Sequence, residues 1–378
     1  MDKQFTNKMK QLFSKVNMEN NKAKIIKYAS YFIVIIMIFG IGSYIYTKMQ
    51  LNTANCNNLK EIYSGFPTIS SFNPNDSAYK YLLRDYYVKS AYNCCSGGQF
   101  KNDYVNTCAL KTCIQQGARV LDFEIYSIND NPVIATSSIN NYHVKETYNS
   151  INLDDALQII NNNAFSGGSC PNPNDPLVLH FRIQSNNEKM MNKMADDIYN
   201  NIESKLLDKI YSNEYYGHNL GAVPLKEFLG KIIISVNKSN NSFENTKLKE
   251  YVNMASSSIF LRNSRFYDIQ YTPDSNELIE YNKKQMTFCI PDLSPYDTNF
   301  SAATAMKYGC QWIGMNFQNF DANMEYYDLF FDKTGSAFVL KPEMLRYVPV
   351  TIPNPKPQDP NNSYTTRTIS TDYYSFSV

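Results

Sequence analysis

Residues 281–346 read YNKKQMTFCIPDLSPYDTNFSAATAMKYGCQWIGMNFQNFDANMEYYDLFFDKTGSAFVLKPEMLR. Three short apolar runs stand out, Met286–Ile290, Gln311–Phe317 and Phe338–Leu340, with a helix-patterned stretch, Asn299–Tyr308, between the first two. Short runs rich in branched and aromatic residues form strands, and strands separated by helix-length segments join as parallel neighbours. The same rhythm extends upstream. Strands are expected at Tyr87–Asn93, Arg119–Tyr126, Pro132–Thr136, Leu177–Ile183, Lys231–Asn237 and Ser257–Leu261, and helices at Asp103–Gln116, Leu153–Asn162 and Asn187–Ile210. Residues 79–349 have the size of a (β/α)₈ barrel. No internal repeat is evident.

Outside this span the chain changes character. Tyr28–Tyr46 (YASYFIVIIMIFGIGSYIY) holds 19 residues without a charge. As a helix this run is about 28 Å long, close to the hydrocarbon thickness, with Tyr at both ends where interface anchors belong. Seven Lys precede it within residues 1–27, against Asp2 and Glu19. That basic segment is expected to stay cytoplasmic, with the rest of the chain across the membrane. A cleaved signal peptide fits less well, because the basic segment and the apolar run are both too long and no small-x-small site follows. Residues 47–78 are polar and rich in turn formers, as in a stalk. Residues 350–378 comprise a Pro/Asn linker and an arm, Tyr364–Val378, whose alternation suits an added strand.

Composition narrows the function classes. The net charge is +1 over 378 residues, so no overall field favours nucleic acid. There are eight Cys but no C-x-x-C, and three His, which argues against structural zinc. The Cys are a mixture of buried thiols and one to three disulfides whose pairing the sequence leaves open. Frequent Asn, Ile, Lys and Tyr suggest an AT-rich genome, and a lone anchored barrel suggests a large DNA virus.

Two regions carry a family resemblance. SAYNCCSGGQF (90–100), CIQQGARVLDFEIYSINDNPVIATS (113–137), DPLVLHFRIQS (175–185) and LGKIIISVN (229–237) follow the order of one family's first catalytic half. In 281–346, Asn-Lys-x-Gln-Met, Gly-Cys-Gln, Asn-Phe-Gln and Leu-Lys-Pro-Glu stand in register with its second half. The chain thus resembles phosphoinositide-specific phospholipase C. The resemblance implies an α/β fold, a distorted TIM (β/α)₈ barrel of the phospholipase C-like phosphodiesterase type, preceded here by one N-terminal transmembrane helix. The family's flanking lipid-binding and calcium-binding domains are not expected in a chain of this length.

The resemblance also implies two catalytic His, a calcium site and basic side chains for the ring phosphates. Such chemistry needs proton transfer near neutral pH and a hard cation to offset phosphate charge. Here Tyr92 stands at the first His position and Thr136 at the second, and neither group does the work of an imidazole. Asn93, Asp122 and Glu124 match calcium ligands, but the third carboxylate position holds Arg182. A guanidinium repels Ca²⁺ and pairs with carboxylates, so Arg182 is expected to replace the metal as counter-charge, and no cofactor is expected unless that residual site binds Ca²⁺. His180 shares a face with Arg182. Ser235 and Asn237 replace the phosphate-binding Lys, and Phe288 and Ile290 replace an Arg and a Tyr that contact the ring. His143 lies in a loop.

Three functions follow from these residues. The first is a catalytically degenerate, membrane-anchored barrel with a binding or architectural role, its partners being the bilayer through residues 28–46 and proteins through the barrel surface or the C-terminal arm. The second is an active phosphoric diester hydrolase with altered chemistry, using Tyr92, His143 or His180, and Asp122 with Glu124. The third is a receptor or adhesion domain that binds sugar or lipid through the old pocket, for which the Tyr/Asn-rich loop Tyr211–Asn219 is the only positive sign.

Overall fold

The computed structural model describes residues 3–139, 143–349, 354–357 and 366–378. The chain divides into two units, Met1–Arg346 and Tyr347–Val378. The first unit opens with α1 (Lys3–Ile62) and continues through β1 (Tyr86–Ala91), α2 (Thr107–Gln115), β2 (Val120–Ile128), β3 (Asn131–Ile134), β4 (Ile151–Asn152), α3 (Leu153–Asn163), β5 (Leu177–Ile183) and α4 (Glu188–Ile202). A single turn, α5 (Ser212–Tyr215), leads to β6 (Ile232–Asn237), β7 (Met254–Ser256), β8 (Leu261–Arg265), α6 (Phe266–Gln270), α7 (Ser275–Lys284), β9 (Met286–Ile290), α8 (Ala302–Lys307), β10 (Trp312–Met315), α9 (Ala322–Thr334) and β11 (Phe338–Leu340).

Eight parallel strands form a nearly closed barrel in the order β7-β6-β5-β2-β1-β10-β9-β8. Helices cover such a sheet from outside, so its strands are buried on both faces. Every residue of β5 and β9 is buried accordingly. α4 shows how a covering helix forms. The Asn187 side chain accepts the Lys189 and Met190 N–H groups, and Met190, Met194, Ile198 and Ile202 turn one apolar stripe inward. α9 starts on an Asp321 cap and stops at Gly335, whose φ of 69° suits the left-handed stop.

The expected elements recur with a few corrections. The strand expected at Ser257–Leu261 falls instead on the bend 257–260 and the first residue of β8; β7 and β8 lie on either side of it, and no ladder links them. The polar run Arg262–Arg265 hid most of β8. The strand read at Pro132–Thr136 is β3, which pairs antiparallel with β2 and stands off the barrel ring. α7 and α9 had no counterpart in the sequence reading.

The stretch read as a stalk is folded against the barrel. α1 is continuous, and its apolar part is long and apolar enough to cross a membrane. Beyond that part, Lys48, Asn52 and Asn55 bond to Asn102 O, Asn106 and Asp103, at 3.5, 2.7 and 2.8 Å. A Cys56–Cys108 disulfide follows. Leu59, Tyr63, Ile69 and Phe72 are buried in the core, each worth roughly 1.5–3 kcal/mol of transfer free energy for its side chain. Gly65 O accepts Gln116 Nε2 at 3.0 Å. α1 therefore runs beside α2 in the same direction. α2 starts at the loop that leaves the C-terminal end of β1, so the apolar end of α1 lies on the side of the barrel mouth.

In the second unit the arm forms a hairpin, β12 (Thr368–Ser370) with β13 (Ser375–Ser377). Most of the Pro/Asn linker lies outside the described residues.

Candidate functional site in the barrel mouth

Parallel register builds the site. Asp122 pairs with His180, which pairs with Ser235, and Glu124 pairs with Arg182. Side chains two apart on a strand share a face. Asp122, Glu124, His180 and Arg182 consequently converge, and all are buried.

Arg182 is the hub. Its Nε lies 3.1 and 3.2 Å from the Asp122 oxygens, and its Nη2 donates to Asp122 Oδ2 at 3.0 Å and to Asn93 Oδ1 at 2.6 Å. Nη1 faces Glu124 Oε2 at 3.3 Å. The guanidinium also lies over the Tyr92 ring, 4.6 Å from its centroid. The remaining oxygens have their own donors. The Asn93 N–H reaches Asp122 Oδ2 at 3.1 Å, His180 Nδ1 lies 2.6 Å from Asp122 Oδ1, and the Tyr126 hydroxyl donates to Glu124 Oε1.

The charges follow from this geometry. Burial alone would raise Asp122, but Arg182 and His180 outweigh it and hold the carboxyl at about 2. Burial raises Glu124, with Arg182 and Tyr126 opposing it only in part. Burial disfavours a charged Arg182, yet Asp122 and Glu124 push its pKa up.

These residues do not fit a calcium ion. Ca²⁺ takes six to eight oxygens, mostly anionic. Here a cation stands among the donors, and every oxygen but one already accepts a hydrogen bond. That one, Glu124 Oε2, faces the guanidinium.

Asp122, His180 and Ser256 form a carboxylate–imidazole–hydroxyl chain, since His180 Nε2 lies 2.7 Å from Ser256 Oγ. Nucleophilic catalysis needs that hydroxyl within reach of substrate. Ser256 and His180 have no exposed surface, and the Phe288 ring stands edge-on to the imidazole at 5.0 Å. The chain is a buried network. Phe288 and Trp312, with centroids 5.8 Å apart, fill the barrel beneath it. Gly314 leaves them space, because a Cβ there would meet Phe288 at 3.0 Å and Tyr92 at 3.1 Å.

Above this floor remains a polar cavity of about 190 Å³, bordered by Arg182, Gln184, Asn237, Asn263, Arg265 and Ile290. Among the described residues, its lining holds no His, Asp or Glu. Arg265 Nη1 donates to Pro291 O at 2.6 Å and meets the Tyr92 hydroxyl at 3.4 Å. Thr136 is buried and donates to Phe100 O at 3.0 Å. Asn237 Oδ1 accepts from Ser239 N–H and Ser257 Oγ, while the buried Ser235 Oγ has no partner among the described residues. The exposed His143 donates its backbone N–H to the carbonyl of Gln184, a residue that borders the cavity, at 3.0 Å.

Three participants escaped sequence reading. Ser256 and Arg265 flank the strand expected at Ser257–Leu261, at the ends of β7 and β8, and Tyr126 sits two residues beyond Glu124 on a strand already assigned. For Tyr126 the period-2 spacing was a usable signal. For Ser256 and Arg265 only the folded register supplies one.

Comparisons with known proteins agree with this fold. Residues 79–238 match the Phosphatidylinositol-specific phospholipase C, X domain, and residues 229–344 match the Y domain of the same name. PLC21 of L. pealei superposes with a TM-score of 0.58 at 17% identity, over 71% of this chain and 38% of that one. PLC21 of S. officinalis gives 0.56 at 17%, again over 71% and 38%. The chain thus spans well under half the length of these relatives, and at such identity the likeness is one of fold.

Proposed function

Because this chain belongs to the phosphatidylinositol-specific phospholipase C family, through both its X and its Y domain, we propose that it is a membrane-anchored, non-hydrolysing member whose barrel serves a binding or architectural role. The observation that carries this is Arg182. It occupies the position among Asn93, Asp122 and Glu124 that a phosphate-neutralising cation would need. Tyr92 lies beneath it, and Thr136 is turned to a backbone carbonyl. General acid–base catalysis needs a group that exchanges protons near neutral pH at the reacting atoms. The described lining of the cavity offers none.

The membrane placement has two supports. Seven Lys precede the apolar run, which favours a cytoplasmic N-terminus. The Cys56–Cys108 bridge, just past the run, favours an oxidising compartment for the barrel, at the cell surface, in a lumen or on a virion. The barrel mouth then faces the bilayer that α1 crosses. Protein partners would meet the barrel surface or the C-terminal arm.

The full chain in detergent–phosphatidylinositol micelles tests the reading. No release of inositol phosphate, with or without Ca²⁺, and no calorimetric heat of stoichiometric Ca²⁺ binding are expected. Turnover abolished by Asp122→Ala would overturn it. One observation favours the rival phosphodiesterase, namely the backbone bond that ties His143 to Gln184, which borders the cavity. That reading requires turnover lost in His143→Ala.

A further inference from the structure

A cavity larger than the one in the barrel mouth lies away from it, on the flank formed by the end of α4, α5 and the chain before β7. Its volume is about 540 Å³, within the ~300–1,000 Å³ range of small-molecule sites. Three tyrosines border it. Tyr199 comes from α4, Tyr216 from the turn after α5 and Tyr251 from the segment before β7. Glu203, Glu250 and Lys209 complete its charged rim.

The local backbone is unusual. Asn213, Glu214, Tyr215 and Tyr216 have φ of 50°, 55°, 51° and 50°, followed by Gly217 at 80°. Together they make one left-handed helical turn, a conformation that L-residues other than Asn rarely adopt. The fold fixes it from both sides. The Glu214 N–H donates to Val252 O at 2.7 Å, and the Glu214 carboxylate pairs with Lys238 at 3.0 Å. The Tyr215 ring packs inward against Tyr211, 5.0 Å between centroids. Tyr216 is thereby turned outward, 63% exposed, opposite Tyr199 at 47%. Strain held in place by its surroundings clusters at ligand clamps and other functional sites.

The chemistry of the lining is selective. Among the described residues, the hydroxyls of Tyr199, Tyr216 and Tyr251 and the carboxylates of Glu203 and Glu250 make no hydrogen bond or ion pair. Flat aromatic faces with a polar tip suit a ligand that is apolar on one side and hydroxylated at its edge. Two carboxylates and one ammonium give the rim a formal charge of −1, which disfavours phosphate, sulfate and carboxylate ligands.

We propose that this flank cavity is a saccharide-binding site for neutral or amino sugars, with Tyr216 and Tyr199 stacking on the pyranose face and Glu203 and Glu250 accepting from its hydroxyl or ammonium groups. The site is independent of what happened to the barrel chemistry. It gives the loop Tyr211–Asn219 a role in recognising a glycosylated surface.

The full chain in detergent is tested by saturation-transfer NMR and titration against methyl glucoside, methyl galactoside, N-acetylglucosamine, glucosamine and lactose, with inositol 1-phosphate as the anionic control. At least one neutral or amino sugar is expected to bind at millimolar or lower concentration and to outcompete the control. Tyr199→Ala, which leaves the left-handed turn untouched, and Tyr216→Ala are each expected to weaken it at least tenfold. Glu250→Gln is expected to weaken glucosamine more than methyl glucoside. An unchanged melting curve separates these losses from misfolding. Absence of binding by every sugar, binding retained in both Tyr variants, or preference for inositol 1-phosphate overturns the proposal. The outcome does not depend on the hydrolysis assay, so the two readings fail separately.

Discussion

Replacing Arg182 by Met tests the central feature of the barrel directly. The substitution keeps length and apolar stem but removes the cation that contacts Asp122, Asn93, Glu124 and the Tyr92 ring. Removing one partner of a buried ion pair costs about 3–5 kcal/mol, because the other charge stays buried without compensation. Loss of the ring contact adds about 0.5–2 kcal/mol. At about 2–4 °C per kcal/mol for a domain of this size, Tm should fall by roughly 10 °C or more. Trp312 is the only Trp in the chain and is fully buried beside the network, so its fluorescence reports unfolding without a label. The pH dependence is the sharper test. In the native chain Asp122 titrates at about 2, below its ordinary 3.8. Its stabilising contribution is therefore complete above that ordinary value and is lost as pH falls through about 2. In Arg182→Met, burial acts on Asp122 with only His180 and the Asn93 N–H left to oppose it, and Glu124, already raised by burial, rises further. A carboxyl whose folded pKa lies above its unfolded value destabilises at high pH and ceases to do so as pH falls through the folded value. The deficit of the variant should be largest at pH 7–8 and shrink toward pH 4–5. A deficit below about 1 kcal/mol at pH 7, or one equal at both pH values, would refute the assignment of Arg182 as the obligatory counter-charge.

Other perturbations probe different parts of the molecule. Cys56→Ser opens a bridge between residues 52 apart, for which the loop-entropy estimate is about 4 kcal/mol. Urea unfolding of the full chain should show a loss of about 2–4 kcal/mol, and dithiothreitol should lower native stability while leaving that of the variant unchanged. Gly314→Ala forces a methyl to within 3.0 Å of Phe288 and 3.1 Å of Tyr92. It should cost about 1–3 kcal/mol and shift Trp312 emission, with partial recovery in the Phe288→Leu background.

Much of this was legible in the chain because parallel strands place residues by counting. Asp122 and Glu124 share a face by alternation, and His180 and Arg182 share one on the next strand, so their meeting required only that β2 and β5 pair. The bonds of His180 to Ser256 and of Arg265 to Tyr92 were not legible. They depend on where β7 ends and β8 begins, and the polar run Arg262–Arg265 carries no strand pattern. Leu59, Tyr63, Ile69 and Phe72 looked like isolated apolar residues in a polar stalk. Their spacing matches no single period, because the helix ends at Ile62 and the chain continues as irregular coil. The Cys56–Cys108 pairing among eight Cys was equally beyond counting.

The same interactions give the carboxylate pair a structural role. Asp122 and Glu124 are too buried to stand alone, and Arg182 is too buried to stand without them. With Arg182 on β5, both carboxylates on β2 compensate its buried charge. Asp122 also anchors the Asn93 N–H, where the backbone takes a φ of 43°, and fixes the His180 ring by its Nδ1. Glu124 holds the Tyr126 hydroxyl. Asn93, Asp122 and Glu124 therefore hold structural roles in this network, whatever chemistry the barrel performs. The separating experiment is the double variant Asp122→Asn with Arg182→Met. It removes both charges and should be more stable at pH 7 than Arg182→Met alone, as a structural ion pair requires. Were Asp122 poised for chemistry with Arg182 as a bystander, removing it after Arg182 would bring no recovery.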